Sequence, residues 1–375
     1  MIIWVCLGSI GLVGILGMTW LFPVVAIFVH RTRADHDESL QTLGSQINRI
    51  DVLIPAHNEE QRIAGTLSAI AESLRSAQQS YPKFNLKIVV GADSCIDSTA
   101  ERARALGAEV KIYPDFRSKW KVLSSLISDS QADWIALVDA DIRWDSGLLP
   151  LILSLRCDAS RLLGVAPSFG LNGHWRIEKH FKNLENLAGG PVAIHGATVF
   201  YDRIALQGVL KNLAARTWIN DDVLIPLSLR LAHPDRKLLY WIPADRPLME
   251  ELTRSNETTV RLEIKRRFRM TRGNFQVLTV FTRALYLRNP EASLLFLRRF
   301  FRIFWVYWLS LVFVSVIQIL GWCEQWPSIL AVAFSLGLMG LVTGKGRNYI
   351  CAAWASLLSP WLFATEKNQK ELQWK

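Results

Sequence analysis

Between Arg49 and Asp141 four short β-branched or apolar runs alternate with helix-period segments, and that alternation constrains the fold more than any other feature. The runs are Arg49–His57, Leu86–Val90, Glu109–Tyr113 and Ile135–Val138. Between them lie an amphipathic segment with Ile63, Leu67, Ile70 and Leu74 on one face, a segment Ser98–Leu106, and a segment Lys119–Ser128. Strands and helices at this spacing predict an α/β chain with a parallel sheet covered on both faces. Pro55 is expected to stop the first strand, since proline cannot continue a central ladder. Asn58-Glu59-Glu60 reads as a helix cap, as does Asp97 before Ser98, and Gly107 stands in the helix-stop position.

Polar or acidic residues close three of these strands. The fourth runs straight into Asp139-Ala-Asp141. Residues two apart on a strand share a face, so Asp139 and Asp141 are placed to converge on one cation past the strand's carboxyl end. Hard divalent ions such as Mg²⁺ or Mn²⁺ take one or two carboxylates plus substrate phosphates. The crevice beyond the carboxyl ends of an open α/β sheet is also where ligands bind. The bland alternative is a pair of solvated turn acids. No Gly-rich phosphate loop accompanies the strands.

Further along, Asp221-Asp222 precedes the apolar stretch Val223–Leu231; acids there suit a helix N-terminus and also suit a general base. Arg266 and Arg269, three apart, share a helix face. They either reach a diphosphate or lie with their basic neighbours on anionic headgroups. Gly189-Gly190-Pro191 and His195-Gly196-Ala197 permit close backbone approach, or are ordinary turns.

Composition sets the surroundings. Half of the 375 residues are hydrophobic, with 15 Trp and 17 Phe, and Ile2–Val29 carries no charge. About 20 apolar residues suffice to cross a bilayer. The run is too long for a signal peptide and lacks a basic start and a small-residue cleavage site. It is read as a retained anchor over 1–30, followed by a linker over 31–48. His30-Arg31-Thr32-Arg33 marks the cytoplasmic side. Ile303–Leu320, Ile329–Val342 and Tyr349–Phe363 form a second membrane region within 286–375. The formal charge of +10 is concentrated beside these segments, which favours anionic lipid over nucleic acid. Five cysteines without paired spacing indicate neither a disulfide framework nor a zinc site.

Val52-Leu-Ile-Pro-Ala-His-Asn-Glu-Glu60, Ala92-Asp-Ser-Cys-Ile-Asp-Ser-Thr-Ala100, Lys119 with Val122-Leu123, and Val138-Asp-Ala-Asp141 resemble family 2 glycosyltransferases, in order and at ordinary separations. Gly196, Asn220-Asp-Asp222 and Arg266-x-x-Arg269-x-x-x-Gly273-Asn-Phe-Gln276 continue the resemblance. It implies a GT-A fold over about residues 49–285, a nucleotide-sugar donor (a UDP-sugar in the first instance), Mg²⁺ or Mn²⁺, and inversion at the anomeric carbon. By the same resemblance Pro55, His57, Glu59 and Asp93 line the nucleotide, and Asp139 and Asp141 hold donor and metal. Asp222, or its neighbour Asp221, is the base; Lys119, Arg266 and Arg269 serve the donor; His195 and Gly196 border the acceptor. The membrane flanks resemble members acting on lipid-linked glycans, with the catalytic part on the cytoplasmic face of a bacterial inner membrane. Two departures stand out. Ala92-Asp93 replaces the frequent Asp-Asp, and Arg266-Arg-Phe-Arg269-Met270 replaces Gln-x-x-Arg-Trp. The missing Trp counts against a processive polysaccharide synthase. A non-catalytic nucleotide-sugar-binding scaffold is the reading from another class.

Overall fold

The computed structural model describes residues 2–31, 41–169, 174–241, 248–252, 260–284, 289–321, 352–358 and 361. The chain divides into two compact units. The larger comprises Ile27–Arg254, Ala284–Ala292 and Glu371–Lys375; the other comprises Met1–Ala26, Ser255–Arg283 and Ser293–Lys370.

Two helices come first, α1 (Ile2–Met18) and α2 (Leu21–Arg31). The larger unit continues with β1 (Gln41–Thr42), β2 (Arg49–Ala56), α3 (Ile63–Ser80), β3 (Asn85–Asp93), α4 (Thr99–Ala105), β4 (Glu109–Tyr113), α5 (Lys119–Asp129) and β5 (Trp134–Val138). Next are β6 (Ile142–Trp144), α6 (Leu148–Leu153), β7 (Arg156–Cys157), β8 (Leu162–Pro167), α7 (His174–Asn186) and β9 (Thr198–Asp202). Helices α8 (Arg203–Leu213) and α9 (Asp221–Ala232) then lead to β10 (Lys237–Trp241) and β11 (Met249–Glu251).

Seven strands form one sheet in the order β10-β8-β9-β5-β2-β3-β4. Every pairing is parallel except those of β9, which runs antiparallel to both β5 and β8. The expected α/β architecture with a mostly parallel sheet is therefore present. One sheet face carries Ile50, Val52, Ile54, Val90 and Ala136, packed with Ile63, Leu67 and Ile70 of α3 in a single apolar core. The other face meets α5. A Cβ at Gly91 would touch Val122 and Leu126, and Asp51 accepts from Ser130 Oγ at the end of α5 at 2.8 Å.

Some local expectations need correcting. Pro55 does not stop β2; it lies inside the strand, opposite Gly91. The ladder to β5 ends at Leu53, so only one neighbour remains where proline sits. Asn58 does not cap α3, whose N-cap is Arg62 without a side-chain bond. Asn58 instead adopts φ +55° and accepts from Ile96 N at 3.0 Å. Gly107, at φ +81°, does follow the end of α4, donating to Arg104 O at 3.0 Å.

The other unit contains α1, α10 (Val260–Ala284), most of α11 (Pro290–Ile303) and α12 (Trp305–Gly321). α1 packs on α12. Cβ atoms at Gly11 and Gly14 would come within 3.0 Å of Val312 and Trp308, so the helices meet at their backbones. The charge-free run at the amino terminus is not one helix. Thr19 Oγ1 turns back to Ile15 O at 2.9 Å, and α2 starts with Pro23 in its first turn, where a missing N–H costs nothing. At 17 residues, α1 and α12 each extend roughly 26 Å, short of a hydrocarbon core of about 30 Å. Among the described residues no single helix is long and apolar enough to cross a membrane. Two bent pairs, Ile2–Met18 with Leu21–His30 and Pro290–Ile303 with Trp305–Ile319, meet the length and composition together. The apolar block 329–342 lies outside the described residues, and of 349–363 only 352–358 and 361 are described.

Candidate active site

The carboxyl ends of β2, β3 and β5 open on one side of the sheet, and the strained backbone gathers close by. Asn58 follows β2, Ser94 follows β3 and Arg117 precedes α5; among the described residues these are the non-glycine positions with positive φ, at 55°, 50° and 46°. Such conformations persist where surrounding bonds over-determine them, and they cluster at functional sites. Here the bonds are explicit. Glu59 N donates to Thr99 Oγ1 at 2.8 Å and Glu60 N to Asp97 Oδ2 at 3.2 Å. Ser98 Oγ donates to Glu60 Oε2 at 2.8 Å. The loops after β2 and β3 are thus laced into one rim. Burial raises the Asp97 carboxyl, but donors from Thr99 and Glu60 outweigh it and hold it below its ordinary value.

Asp93 is fully buried, and its carboxylate accepts from Arg117 N at 2.8 Å and Ser118 N at 2.7 Å. It acts from inside, fixing the loop that leads into α5. His57 Nδ1 lies 2.7 Å from Asp93 O, a distance at which the ring N–H donates. Pro55 is buried in the ladder. Glu59 pairs with Arg62, three residues on.

Asp139 and Asp141 lie beyond the last residue of β5, in the turn into β6, so strand alternation does not place them. Three elements hold that turn. Asp139 N donates to Ala197 O at 3.0 Å, Thr66 Oγ1 of α3 donates to Ala140 O at 2.8 Å, and Leu252 N donates to Asp141 O at 2.8 Å. Each carboxylate meets its own cation: Lys119 Nζ stands 2.8 Å from Asp139 Oδ1, and Arg62 Nη1 stands 3.0 Å from Asp141 Oδ2.

Lys119 also lies 3.2 Å from Asp221 Oδ2, bridging the end of β5 to the start of α9. Burial raises the Asp139 carboxyl, Lys119 opposes the rise, and Asp221 and Asp141 add to it, leaving it at about 6. Burial disfavours the Lys119 ammonium, yet Asp139 and Asp221 outweigh that and hold it above its ordinary value. A Cβ at Gly196 would stand 3.4 Å from Asp139 Oδ2 and 3.8 Å from Lys119 Nζ, so this glycine backs onto the bridge.

The start of α9 is joined to the segment before β9 by a proline. Pro226 lies inside α9 and lacks the N–H that would bond to the carbonyl four residues back, at Asp222. That carbonyl instead accepts from Ile194 N at 2.9 Å, which anchors the stretch leading to Gly196. Pro226→Ala restores the helical donor and sets it in competition with Ile194. It is expected to lower kcat/KM several-fold while Tm holds or rises, as turnover and thermal melting would show.

Behind this stretch, Gly189 and Gly190 have φ +80° and +107°, and a Cβ at Gly190 would strike Leu238 O. The buried Arg230 donates to Gly190 O at 2.6 Å and Ala188 O at 2.8 Å. His195 Nε2 donates to Pro167 O at 2.5 Å beside Phe169 and Tyr240. Burial pushes His195 down to about 4. The unfolded chain protonates this ring near pH 6.5 and the folded chain only near 4, so stability drops as pH falls through that window. The loss reaches roughly 3 kcal/mol. The difference in urea midpoint between wild type and His195→Gln, followed from pH 7 to 4.5, should show this loss, since Asp139 contributes equally to both proteins with the opposite sign.

For Mg²⁺ or Mn²⁺ the donor set fits. Asp139 meets Lys119 through Oδ1, and Asp141 meets Arg62 through Oδ2. Two hard oxygens completed by donor phosphates is a set these ions accept. Among the described residues no group of three His, Cys, Asp or Glu converges on one point, so an ion held by these two aspartates would take its remaining ligands from elsewhere. Arg266 and Arg269 lie on α10, in the other unit.

Residues 51–187 match the family described as glycosyl transferase family 2, and this segment belongs to that family. The 4,4'-diaponeurosporenoate glycosyltransferase of Staphylococcus aureus (strain USA300) is 30% identical over 138 residues, 33% of this chain and 34% of that protein. The match thus spans about a third of that relative's length. In fold, the chain resembles a mannosyltransferase from Pyrobaculum calidifontis, solved in complex with GDP-Man and Mn²⁺. The TM-score is 0.65 over 97% of this chain and 100% of that one, at 16% identity. The fold is accordingly GT-A-like.

Sequence reasoning missed Arg62, Thr66 and Pro226. The Glu59/Arg62 spacing of three and the Asp222/Pro226 spacing of four were the available signals.

Proposed function

We propose that the chain moves a sugar from a nucleotide sugar, a UDP-sugar in the first instance, to a hydroxyl of a lipid or lipid-linked glycan, with inversion at the anomeric carbon. One observation carries this reading: Lys119 joins Asp139, at the end of the donor-side strand, to Asp221, at the start of the acid-bearing helix. The donor-side acid and the neighbour of the base Asp222 are thereby tied together by one ammonium. The acceptor oxygen attacks the anomeric carbon as the bond to the diphosphate breaks. Asp222 receives the hydroxyl proton. Asp221 is already committed to Lys119, which supports giving that role to its neighbour. Asp139 and Asp141 would hold the divalent ion, which neutralises charge growing on the leaving diphosphate.

A membrane setting is supported by the exposed apolar surface of α1, α2 and α12, including Ile2, Ile3, Leu12, Phe28, Leu309 and Phe313. Basic residues after α2 favour a cytoplasmic face for the larger unit, at a bacterial inner membrane. The S. aureus relative, named for its 4,4'-diaponeurosporenoate acceptor, supports an apolar acceptor for this chain.

The test is nucleotide release by the purified full chain from UDP- and GDP-sugars with Mn²⁺, in vesicles carrying candidate lipid acceptors. Nucleoside diphosphate and a product with one added sugar support the reading. Polymer would make it a processive synthase, pyrophosphate would make it a nucleotidyltransferase, and no release from any donor would leave a binding scaffold.

A further inference from the structure

Arg62 is an arginine at the N-cap of α3, and its guanidinium sits between two carboxylates on different loops. Nη1 lies 3.0 Å from Asp141 Oδ2, and Nη2 pairs with Glu59 Oε2. The three side chains are largely withdrawn from water, at 13%, 18% and 11% exposure, so their charges are weakly screened. The backbones of Arg62 and Glu59 are tied to each other, and that of Asp141 is held separately. Arg62 N and Ile63 N donate to Glu59 O at 3.0 and 2.9 Å, and Asp141 is fixed through Leu252 and Thr66 as above. The guanidinium thus bridges an acid of the loop after β2 and an acid of the β5–β6 turn.

We propose that Arg62 is a positioning residue that sets how strongly Asp141 takes a divalent cation, with Glu59 as the counterweight that draws Arg62 aside. This rests on the metal reading given above. A cation at Asp141 would have to share that carboxylate with the Arg62 guanidinium, and like charges that close repel strongly when partly buried. The repulsion lessens as the guanidinium leans toward Glu59. A donor diphosphate brings negative charge of its own and restores the balance. The arrangement thus keeps affinity for the bare ion low and lets ion and donor bind together.

Opposite charge changes at the two partners separate this role from simple support of the fold. Removing the Arg62 charge relieves Asp141. Removing the Glu59 charge leaves Arg62 with Asp141 alone. Titration of the purified full chain with Mn²⁺ alone, followed by electron paramagnetic resonance, is expected to show Arg62→Gln binding about tenfold tighter than wild type. Glu59→Gln should bind several-fold weaker, and Arg62→Lys should stay close to wild type. Repeating the titration with UDP should shrink the Arg62→Gln advantage.

Equal Mn²⁺ affinity across these variants, or weakening in both Arg62→Gln and Glu59→Gln, overturns the role of Arg62 while leaving the metal site standing. Should Arg62→Gln not fold, Glu59→Gln still decides: several-fold weaker Mn²⁺ binding with Arg62→Lys near wild type supports the role, and unchanged affinity overturns it. Mn²⁺ binding that is unchanged by Asp141→Asn has a different meaning: the metal reading itself fails, and this inference falls with it.

Discussion

Asp139→Ala and Asp141→Ala should each lower sugar-nucleotide turnover at least a thousandfold, a loss of about 4 kcal/mol in transition-state stabilisation. The size follows from where the charge goes. A diphosphate leaves with negative charge that must be met in a partly dry site, and electrostatic stabilisation of that kind is commonly the largest catalytic contribution. The two aspartates stand on a turn tied to β9, α3 and the residue after β11, so neighbouring groups cannot easily replace them. The variants should stay folded. Lys119 keeps Asp221 when Asp139 is lost, and Arg62 keeps Glu59 when Asp141 is lost. Steady-state rates over a Mn²⁺ series, with melting temperatures beside them, check this. A loss below tenfold in a folded variant would argue against a donor role for the turn.

The second large effect is expected at the start of α9. Asp222→Asn should cut kcat about a thousandfold with KM for the donor nearly unchanged, because only the proton acceptor is lost and general-base catalysis contributes on this scale. Asp221→Asn should behave differently. It removes one carboxylate from Lys119, leaving that ammonium to Asp139 alone. The consequence is a stronger pull on the donor-side acid, read as a raised KM and a loss of about ten- to a hundredfold in kcat/KM. If the two variants exchange these signatures, the base is Asp221. Single-turnover rates with saturating donor separate the cases, since they report the chemical step.

Much of the first half of the sheet was legible because its strands are short apolar runs bounded by Pro, Gly and acids, and its helices have a clear apolar face. β2, β3, β4, β5 and α5 fall close to where periodicity puts them. β9 was not legible: its antiparallel insertion between β5 and β8 depends on pairing across about 35 to 68 residues, which local pattern does not record. Asn58 shows the limit of capping rules. Its side chain bonds forward to the loop after β3, and it takes a left-handed backbone that a lone helix would not need. Of the site, Asp139 and Asp141 were legible as acids past a strand end, while Lys119 and Asp221 joined them only through the resemblance to family 2 glycosyltransferases. The pairings within the site were not legible, because an ion pair such as Arg62 with Asp141 joins positions 79 apart. The uncharged run at the amino terminus was read by hydropathy, which counts apolar residues but does not register the break at Thr19 and Pro23.

The most direct test is calorimetric titration of UDP and GDP into the purified full chain, with Mn²⁺ and again after chelation. Binding of one nucleotide that needs the ion, and that is lost in both Asp139→Ala and Asp141→Ala, is the predicted result. Binding that survives chelation and both substitutions unchanged would contradict a donor site built on the turn after β5.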